Sequence, residues 1–230
     1  MSAAEEAAPF VPSATRALVD ADTVLDARLA LYHRAERWLA VADVHYGYEL
    51  SQRAGGSLFP LWGMDHIETR LESLLADYRP ARLVLVGDFV HDAAGREPGR
   101  KLLARLRAGG GCEVVLVAGN HDRRAYRAEE MEPALGTERF YFHHGDGAGP
   151  DTRAAAGRTT IIGHHHPAAT LRDGAGFAAK LPAFVQGTDQ WVLPAFSPWA
   201  AGGGGGKWGR DARLWLCAPK RILPPEMARR

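Results

Sequence analysis

The feature that most constrains the fold of this chain is a repeated unit in which a short apolar run is followed directly by a polar motif. The units are Trp38 to Ala42 with Asp43-x-His45, Leu83 to Val86 with Gly87-Asp88, Val114 to Ala118 with Gly119-Asn120-His121-Asp122, and Ile161-Ile162 with Gly163-His164-His165-His166. Short apolar runs bounded by turn residues are typical of buried strands. The loops that leave the carboxyl ends of parallel strands meet at one edge of a sheet, where open α/β sheets bind ligands. We therefore expect the motifs to converge.

The segments between the first three runs predict helices. One helix carries Ile67, Leu71 and Leu74 on one face and ends before Pro80, and a second spans about residues 98 to 107. A strand–helix–strand–helix–strand order favours parallel pairing. We also expect a loop over residues 47 to 62 and a helix over residues 123 to 135.

The rest of the chain predicts a second sheet. Short strands are expected near residues 139–143, 159–162, 179–186, 190–193 and 213–217, with no long helices between them. This pattern favours a mostly antiparallel sheet stacked on the first. Residues 29–33 and 37–42 predict a hairpin that leads into Asp43. The expected fold class is α/β, with two stacked mixed β-sheets flanked by helices in a four-layer α-β-β-α sandwich.

Length and composition predict one globular domain. The chain has 230 residues, of which 46% are hydrophobic and 24% charged, and we expect a loose lead-in over residues 1–20 and a single domain over residues 21–230. The formal net charge of +1 provides no bulk field, so affinity for nucleic acid cannot be argued from charge.

Targeting features and cysteines predict an intracellular setting. The first residues lack a secretory signal, and no run of about 18 apolar residues occurs, so we expect a cytoplasmic protein with no membrane partner. Cys112 and Cys217 lie far apart in sequence and are expected to be core thiols in a reducing compartment.

The motifs share a set of side chains that can bind metal ions. Carboxylate and amide oxygens together with imidazole nitrogens suit Mn²⁺, Zn²⁺ or Fe better than ions that prefer sulfur or oxygen alone. Asp-x-His or Gly-Asp on its own is more often a turn. The joint occurrence of all the motifs, each after a predicted strand, is what indicates a metal centre.

Taken in order over residues 38 to 167, and with His144-Gly145 before the last of them, the motifs resemble those of the calcineurin-like metallophosphoesterase superfamily. The chain is similar to the ligase-associated DNA damage response endonuclease branch in the segments Ala42 to Glu49, Gly87 to His91, Gly119 to Arg123, Gly163 to Pro167 and Leu193 to Phe196. Members of that branch usually have leucine at the positions of Val44 and Tyr46, and often lysine at that of Tyr48. They also lack the glycine tract found here at residues 202–206.

The resemblance implies a binuclear centre with most of its ligands drawn from the motifs. Asp43, His45 and His166 would hold one divalent cation; Asn120, His144 and His164 would hold the second; Asp88 would bridge the two. The expected ions are Mn²⁺, with Zn²⁺ or Fe as alternatives. His143 competes with His144 and is assigned to packing, because the superfamily uses the residue before the glycine. His165 is expected to face away from the ions.

The resemblance also implies roles for residues beside the ligands. His121 is the candidate general acid for the leaving oxygen, or a donor to the phosphoryl group, and Asp122 is expected to orient its imidazole. Arg123 and His91 are the candidate substrate-binding residues. The alternatives are a solvated helix face for Arg123 and a structural role for His91.

The implied activity is hydrolysis of phosphodiester bonds by attack of a metal-bridging hydroxide, as in a DNA-processing nuclease linked to repair. A phosphomonoesterase or nucleotide phosphatase is the alternative enzyme, because the same pair of ions serves both reactions. A catalytically silent binding scaffold is the alternative outside enzymes, and the presence of every ligand position and of His121 argues against it. The expected partners are a phosphodiester substrate, DNA included, a second copy of the chain, and a DNA ligase and helicase in functional association.

Tryptophan side chains could stack on bases, as they do in proteins that bind single strands. We expect packing roles for Trp62, Trp191 and Trp215, and exposure for Trp199 and Trp208, whose neighbours are rich in glycine and proline. The glycine tract between the last two is expected to be a solvent loop.

Overall fold

The computed structural model describes residues 13–109, 111–127, 130–147, 155–172, 175–200, 202–203, 208–209 and 211–229. Its first sheet contains, in spatial order, β1 (Arg16–Leu18), β2 (Thr23–Asp26), β3 (Ala30–His33), β4 (Trp38–Ala42), β5 (Arg82–Val86) and β6 (Glu113–Val117). Strands β1 to β4 pair antiparallel, and β4, β5 and β6 pair parallel. The predicted hairpin and the predicted parallel strands are confirmed. Strand β1 lies within the segment that we expected to be a loose lead-in, whose residues 1–12 fall outside the described part of the chain.

The second sheet is mixed. Its strands are β7 (Leu135–Gly136), β8 (Phe140–Phe142), β9 (Thr159–Ile162), β10 (Ala168–Arg172), β11 (Ala178–Gln186), β12 (Gln190–Val192), β13 (Arg213–Ala218) and β14 (Arg221–Leu223). The order is β14-β13-β11-β12-β9-β8-β7, and β10 pairs with the first half of β11. Strand β9 pairs parallel with both β8 and β12, and the other pairings are antiparallel. The strands expected in this half are therefore confirmed, and β7, β10 and β14 are strands that the sequence pattern does not predict.

The helices are α1 (Tyr48–Ala54), α2 (Gly63–Tyr78), α3 (Arg96–Ala108) and the single turn α4 (Asp122–Ala125), with 3₁₀ helices at Ala93–Gly95 and Pro225–Arg229. The two long helices confirm the prediction.

Two local predictions about helices are wrong. The segment expected to be only a loop contains α1, which begins after Gly47 takes up a left-handed conformation with φ 80°. The helix expected over residues 123–135 ends at Ala125, because Tyr126 is extended and packs against Gly99 of α3. Further along, Glu132 bridges to Val117 at the edge of the first sheet.

The two sheets pack face to face around one main core. Trp38 of β4 lies edge-on to Phe140 and Phe142 of β8, with ring centroids 4.8 and 5.0 Å apart. Buried side chains of α2 and α3, among them Leu71 and Leu102, belong to the same core. The expected class, two stacked mixed sheets with flanking helices, is confirmed.

Both cysteines are free thiols, Cys217 buried and Cys112 half-buried. Burial raises the pKa of the Cys217 thiol well above its usual range, as suits a residue of the core. Within the described part of the chain, no helix combines the length and the apolarity that crossing a bilayer requires.

Candidate metal centre

The ligand motifs converge because the strands that carry them end in register. Ala42 of β4 lies opposite Val86 of β5, and Val86 lies opposite Val117 of β6. Asp43, Asp88 and Asn120 follow these strand ends within three residues. In the second sheet, β8 and β9 are parallel neighbours, and His144 and His164 follow their ends. The sandwich therefore directs five loops to one place.

The first group of donors consists of Asp43, His45 and His166, whose ligand atoms lie within 4.8 Å of one another. The Nε2 atoms of His45 and His166 are 3.4 Å apart, and His166 Nε2 is 3.7 Å from Asp43 Oδ1. Asp43 is fully buried, and its Oδ2 accepts a hydrogen bond of 2.8 Å from the backbone N–H of His164. Its Oδ1 has no hydrogen-bond partner among the described residues. Leaving a buried carboxylate oxygen unpaired is costly, and a cation at this position would remove that cost.

The second group consists of Asp88, His144 and His164, again with ligand atoms within 4.8 Å of one another. Three donors surround His144 Nε2: Asp88 Oδ2 at 3.3 Å, Asn120 Oδ1 at 3.0 Å and His164 Nδ1 at 3.1 Å. Nitrogen and oxygen atoms that converge in this way are typical of metal sites. The structure thus brings together all seven residues expected as ligands, and their role as ligands stays a prediction.

The structure separates the histidines whose assignment was ambiguous. His144 lies at the convergence of donors, whereas His143 is buried beside Tyr141, with ring centroids 6.1 Å apart. His165 is exposed, and its ring lies edge-on to Trp208 at 5.9 Å. These positions agree with the expectation that His143 packs and that His165 faces away.

At His45 and Asp88 the electrostatics favour the protonation states that bind cations. Burial and the neighbouring histidines together outweigh the charge of Asp88 and lower the pKa of His45 to about 3, so its imidazole is neutral at pH 7. Burial opposes ionisation of Asp88, but hydrogen bonds from His144 and from the backbone of His121 hold its pKa at about 2. A neutral imidazole and an ionised carboxylate are the forms that coordinate metals.

The backbone of the centre is strained where the ligands lie. Among the described residues other than glycine, eight have positive φ, and five of these are expected ligands: Asp43, His45, Asp88, His164 and His166. Left-handed conformations are uncommon for such residues and concentrate at functional sites. The glycine of one motif also makes room for the ligand of another. A Cβ on Gly87 would lie 2.0 Å from His144 Nδ1, and one on Gly119 would lie 2.1 Å from Asp88 Oδ1.

The role expected of Asp122 needs a correction, whereas that of His121 stays a prediction. His121 lies at the rim of the centre, with Nε2 3.9 Å from Asp88 Oδ2, but Nδ1 contacts the carbonyl oxygen of His91 at 2.5 Å. Asp122 accepts backbone hydrogen bonds from Phe89, Val90 and Gly119 at 3.0–3.1 Å. The residue that orients the imidazole is therefore His91, through its carbonyl, while Asp122 stabilises the loops. Asp122 is the first residue of the short helix α4, and its carboxylate points toward the backbone N–H groups of those loops.

The two candidate substrate-binding residues differ in their surroundings. The ring of His91 stacks on that of His121 at 5.0 Å, and its Nδ1 lies 3.4 Å from His45 Nδ1. With His45 and His121 it forms a third group of convergent donors. Arg123 instead forms an ion pair with Asp146 and donates to the carbonyl of Ala118 at 3.1 Å. The sequence contained no sign of this pairing, and a substrate role for either residue stays a prediction.

Three tryptophans differ from the prediction, because Trp62 was expected to be packed and is exposed, and Trp199 and Trp208 were expected to be exposed and are half-buried. Trp191 and Trp215 are buried, as expected, but Trp62 is 48% exposed. It packs against Trp199, which is half-buried, with ring centroids 4.3 Å apart. Trp208 is half-buried as well. Most of the glycine tract, residues 204–206, lies outside the described residues.

Comparisons with known proteins agree with this geometry. A sequence model of the calcineurin-like phosphoesterase family matches residues 37–216. Among solved structures, the chain is similar to the nuclease MPE of Pseudomonas putida, with 29% sequence identity and a TM-score of 0.66, over 87% of this chain and 94% of that chain. It is also similar to Yfce, a phosphoesterase from E. coli, with 17% identity and a TM-score of 0.41, over 83% of this chain and 98% of that one. A comparison with curated proteins gives no match.

Proposed function

The chain belongs to the calcineurin-like phosphoesterase family, and from this premise we propose that it is a binuclear metal-dependent phosphodiesterase that cleaves DNA. The observation that carries the proposal is the convergence of two donor groups around buried carboxylates, Asp43 in one and Asp88 in the other. The similarity to a solved structure described as a nuclease supports the choice of a nucleic acid as substrate.

The residues present fit a pair of divalent cations. Asp43, His45 and His166 would hold one ion, Asn120, His144 and His164 the other, and Asp88 would contact both. Mixed nitrogen and oxygen donors favour Mn²⁺ as the native ion, with Zn²⁺ or Fe as alternatives. Such a pair supplies an activated water and positive charge beside the phosphorus.

The hydrogen bonding of His121 indicates which of its atoms handles a proton. A carbonyl oxygen only accepts, so the contact with His91 requires a hydrogen on Nδ1. The atom that gains or loses a proton is then Nε2, on the side of Asp88. A protonated Nε2 can donate to the leaving oxygen as the ester bond breaks, which is the role of a general acid.

The assay that tests the proposal uses purified protein with Mn²⁺ and two aryl phosphates. We expect hydrolysis of bis(p-nitrophenyl) phosphate, faster than that of p-nitrophenyl phosphate, and a loss of about 100-fold or more in Asp88→Ala and His164→Ala. His165→Ala, which changes an exposed neighbour outside the donor groups, is the matched control and is expected to retain activity.

Three outcomes separate the alternatives. Activity retained in Asp88→Ala would contradict a role for the centre in hydrolysis. Preference for the monoester would identify a phosphomonoesterase, the second candidate. A panel of single-stranded, nicked and gapped DNA tests the nucleic-acid substrate. If none of these DNA molecules were cleaved, the proposed nuclease activity would be contradicted. A link to repair, association with a ligase and helicase, a homodimer and a cytoplasmic location stay predictions.

A further inference from the structure

Four aromatic side chains form a continuous surface beside the candidate metal centre. We call Tyr48, Phe59, Trp62 and Trp199 the aromatic platform. The ring of Phe59 lies 4.6 Å from that of Trp199 and 5.5 Å from that of Tyr48, and the ring of Trp62 lies 4.3 Å from that of Trp199. These residues come from α1, the segment before α2, and the loop after β12, so the fold assembles them.

The platform is held in place by a buried carboxylate. Glu49 has no exposed surface, and its Oε2 accepts a hydrogen bond of 3.1 Å from the indole Nε1 of Trp199. Its Oε1 accepts one of 2.7 Å from the backbone N–H of Met64 in the first turn of α2. Gly63 precedes Met64, and a Cβ at this position would lie 2.1 Å from Trp199 Nε1. Only glycine therefore leaves room for the indole. A buried carboxyl group that fixes an indole in this way pre-organises the ring.

The platform is continuous with the metal centre through His91. The ring of His91 lies 4.7 Å from that of Tyr48 on one side and 5.4 Å from that of His45 on the other. If the phosphate of a ligand lay at the metal centre, the chemical group next to that phosphate would therefore lie beside the rings of the platform.

The outer part of the platform is open to solvent. Trp62 is 48% exposed, and Leu58 and Leu61 in the same segment are 99% and 45% exposed. The guanidinium of Arg53, an exposed residue, donates to the carbonyl of Phe59 at 3.3 Å and places a positive charge at the same rim. Large apolar side chains exposed together mark an interaction site.

We propose that the aromatic platform stacks an unpaired nucleobase of a nucleic-acid strand whose adjacent phosphodiester lies at the metal centre. Aromatic rings bind bases through their faces, and in a duplex those faces are covered by the neighbouring base pairs. The platform offers aromatic rings, a positive charge at its rim and a candidate phosphate-binding site beside it. These features suit a single nucleic-acid strand as the ligand better than they suit a partner protein with an aliphatic surface. This inference rests on the proposed function and specifies that the nucleic acid binds as a single strand with an unpaired base.

The test measures binding separately from catalysis. The fluorescence anisotropy of a labelled oligothymidylate is titrated with the full chain in EDTA, so that the strand is not cut, and compared with an abasic strand of equal length and charge. We expect the wild type to bind the oligothymidylate more tightly. Trp62→Leu should weaken that binding by about 10-fold, as loss of a stacked base predicts, and leave the abasic strand unaffected.

Matched variants separate stacking from general apolar contact. Trp62→Tyr keeps an aromatic face and should retain most of the affinity, and Phe59→Leu should reproduce the loss. Phe177→Leu changes an aromatic residue that is 61% exposed in the turn before β11, and it should have no effect. Thermal melting followed by circular dichroism checks that each variant is folded.

Equal affinity of wild type and Trp62→Leu for the oligothymidylate would overturn the inference, as would an equal loss for the abasic strand. Sedimentation velocity tests whether a second copy of the chain occupies the platform instead. A dimer that Trp62→Leu dissociates, without any change in oligonucleotide affinity, would make the surface a self-association site and would also overturn it. Hydrolysis of bis(p-nitrophenyl) phosphate by the wild type tests the proposed function without any platform variant, so failure of the platform and failure of the proposed function are distinguishable.

Discussion

At the scale of single residues, Asp122 shows how a side chain inside a metal-binding motif can act on the backbone. It follows His121 directly, yet its carboxylate binds the backbone N–H groups of Phe89, Val90 and Gly119. Those residues lie in the loops that carry Asp88 and Asn120. The side chain thus fixes two ligand loops relative to each other, although it belongs to none of the donor groups.

Replacing this carboxylate tests its role. Asp122→Ala leaves three N–H groups without their acceptor in a buried site, and we expect the free energy of unfolding to fall by about 2–4 kcal/mol. We also expect weaker binding of Mn²⁺, because the loop of Asp88 loses its support. Urea denaturation and a titration with Mn²⁺ measure the two effects.

The matched control for this change is Asp189→Ala, in an exposed turn, which should alter stability by less than about 0.5 kcal/mol. Wild-type stability and Mn²⁺ affinity in Asp122→Ala would show that the three hydrogen bonds do not hold the loops.

At the scale of secondary-structure elements, a buried carboxylate links the first sheet to α2. Asp26 at the end of β2 is 1% exposed and accepts hydrogen bonds of 2.7–2.9 Å from the guanidinium of Arg28 and one of 2.8 Å from Tyr78 near the end of α2. Burial opposes its ionisation, but the hydrogen bonds from Arg28 prevail and lower the pKa of Asp26. The ionised form is therefore more stable in the folded chain than in the unfolded one.

This shift predicts a dependence of stability on pH. A carboxyl whose pKa is lowered by folding stabilises the fold above its unfolded value, near 3.8, and loses that contribution as the pH falls through the folded value. Asp26→Asn should be about 1.5–3 kcal/mol less stable than the wild type at pH 7. The difference should shrink as the medium is acidified below about pH 4.

Urea unfolding across this pH range measures the effect, with Asp65→Asn on the exposed face of α2 as the control. A difference between Asp26→Asn and the wild type that stayed constant from pH 7 to about pH 3 would rule out the ionised carboxylate as its source.

At the scale of the whole molecule, the metal centre joins the two sheets. Asp43 and Asp88 belong to the first sheet and His144 and His164 to the second, and their donor atoms meet between the strand ends. Ions bound there would cross-link the sandwich at one edge. A ligand that binds only the folded state stabilises it in proportion to the logarithm of its concentration.

We therefore expect Mn²⁺ to raise the melting temperature of the chain after treatment with a chelator. At about 100 times the dissociation constant the gain is about 2.7 kcal/mol, or a shift of roughly 5–10 °C for a chain of this size. Differential scanning calorimetry measures it. The increase in melting temperature should be mostly lost in Asp88→Asn and kept in His165→Ala. An equal increase in both variants would show that the ions bind elsewhere.

Much of the architecture and of the candidate site follows from local patterns in the sequence. The parallel strands β4, β5 and β6, the two long helices and most strands of the second sheet are predictable because apolar periodicity and turn residues act within a few neighbouring positions. The polar residues after each strand are equally visible, and parallel pairing requires that such strand ends share an edge.

What only the tertiary structure decided depends on contacts between segments remote in sequence. The early end of the helix at Ala125 results from the packing of Tyr126 against Gly99 in α3, and the partners of Asp122 lie in loops from two other strands. The exposure of Trp62 and its place beside Trp199 require α1, α2 and the chain after β12 to be assembled first. A sequence pattern reports which side chains prefer to be buried and with what period, whereas the partner of each side chain is set by the packing of the whole sandwich.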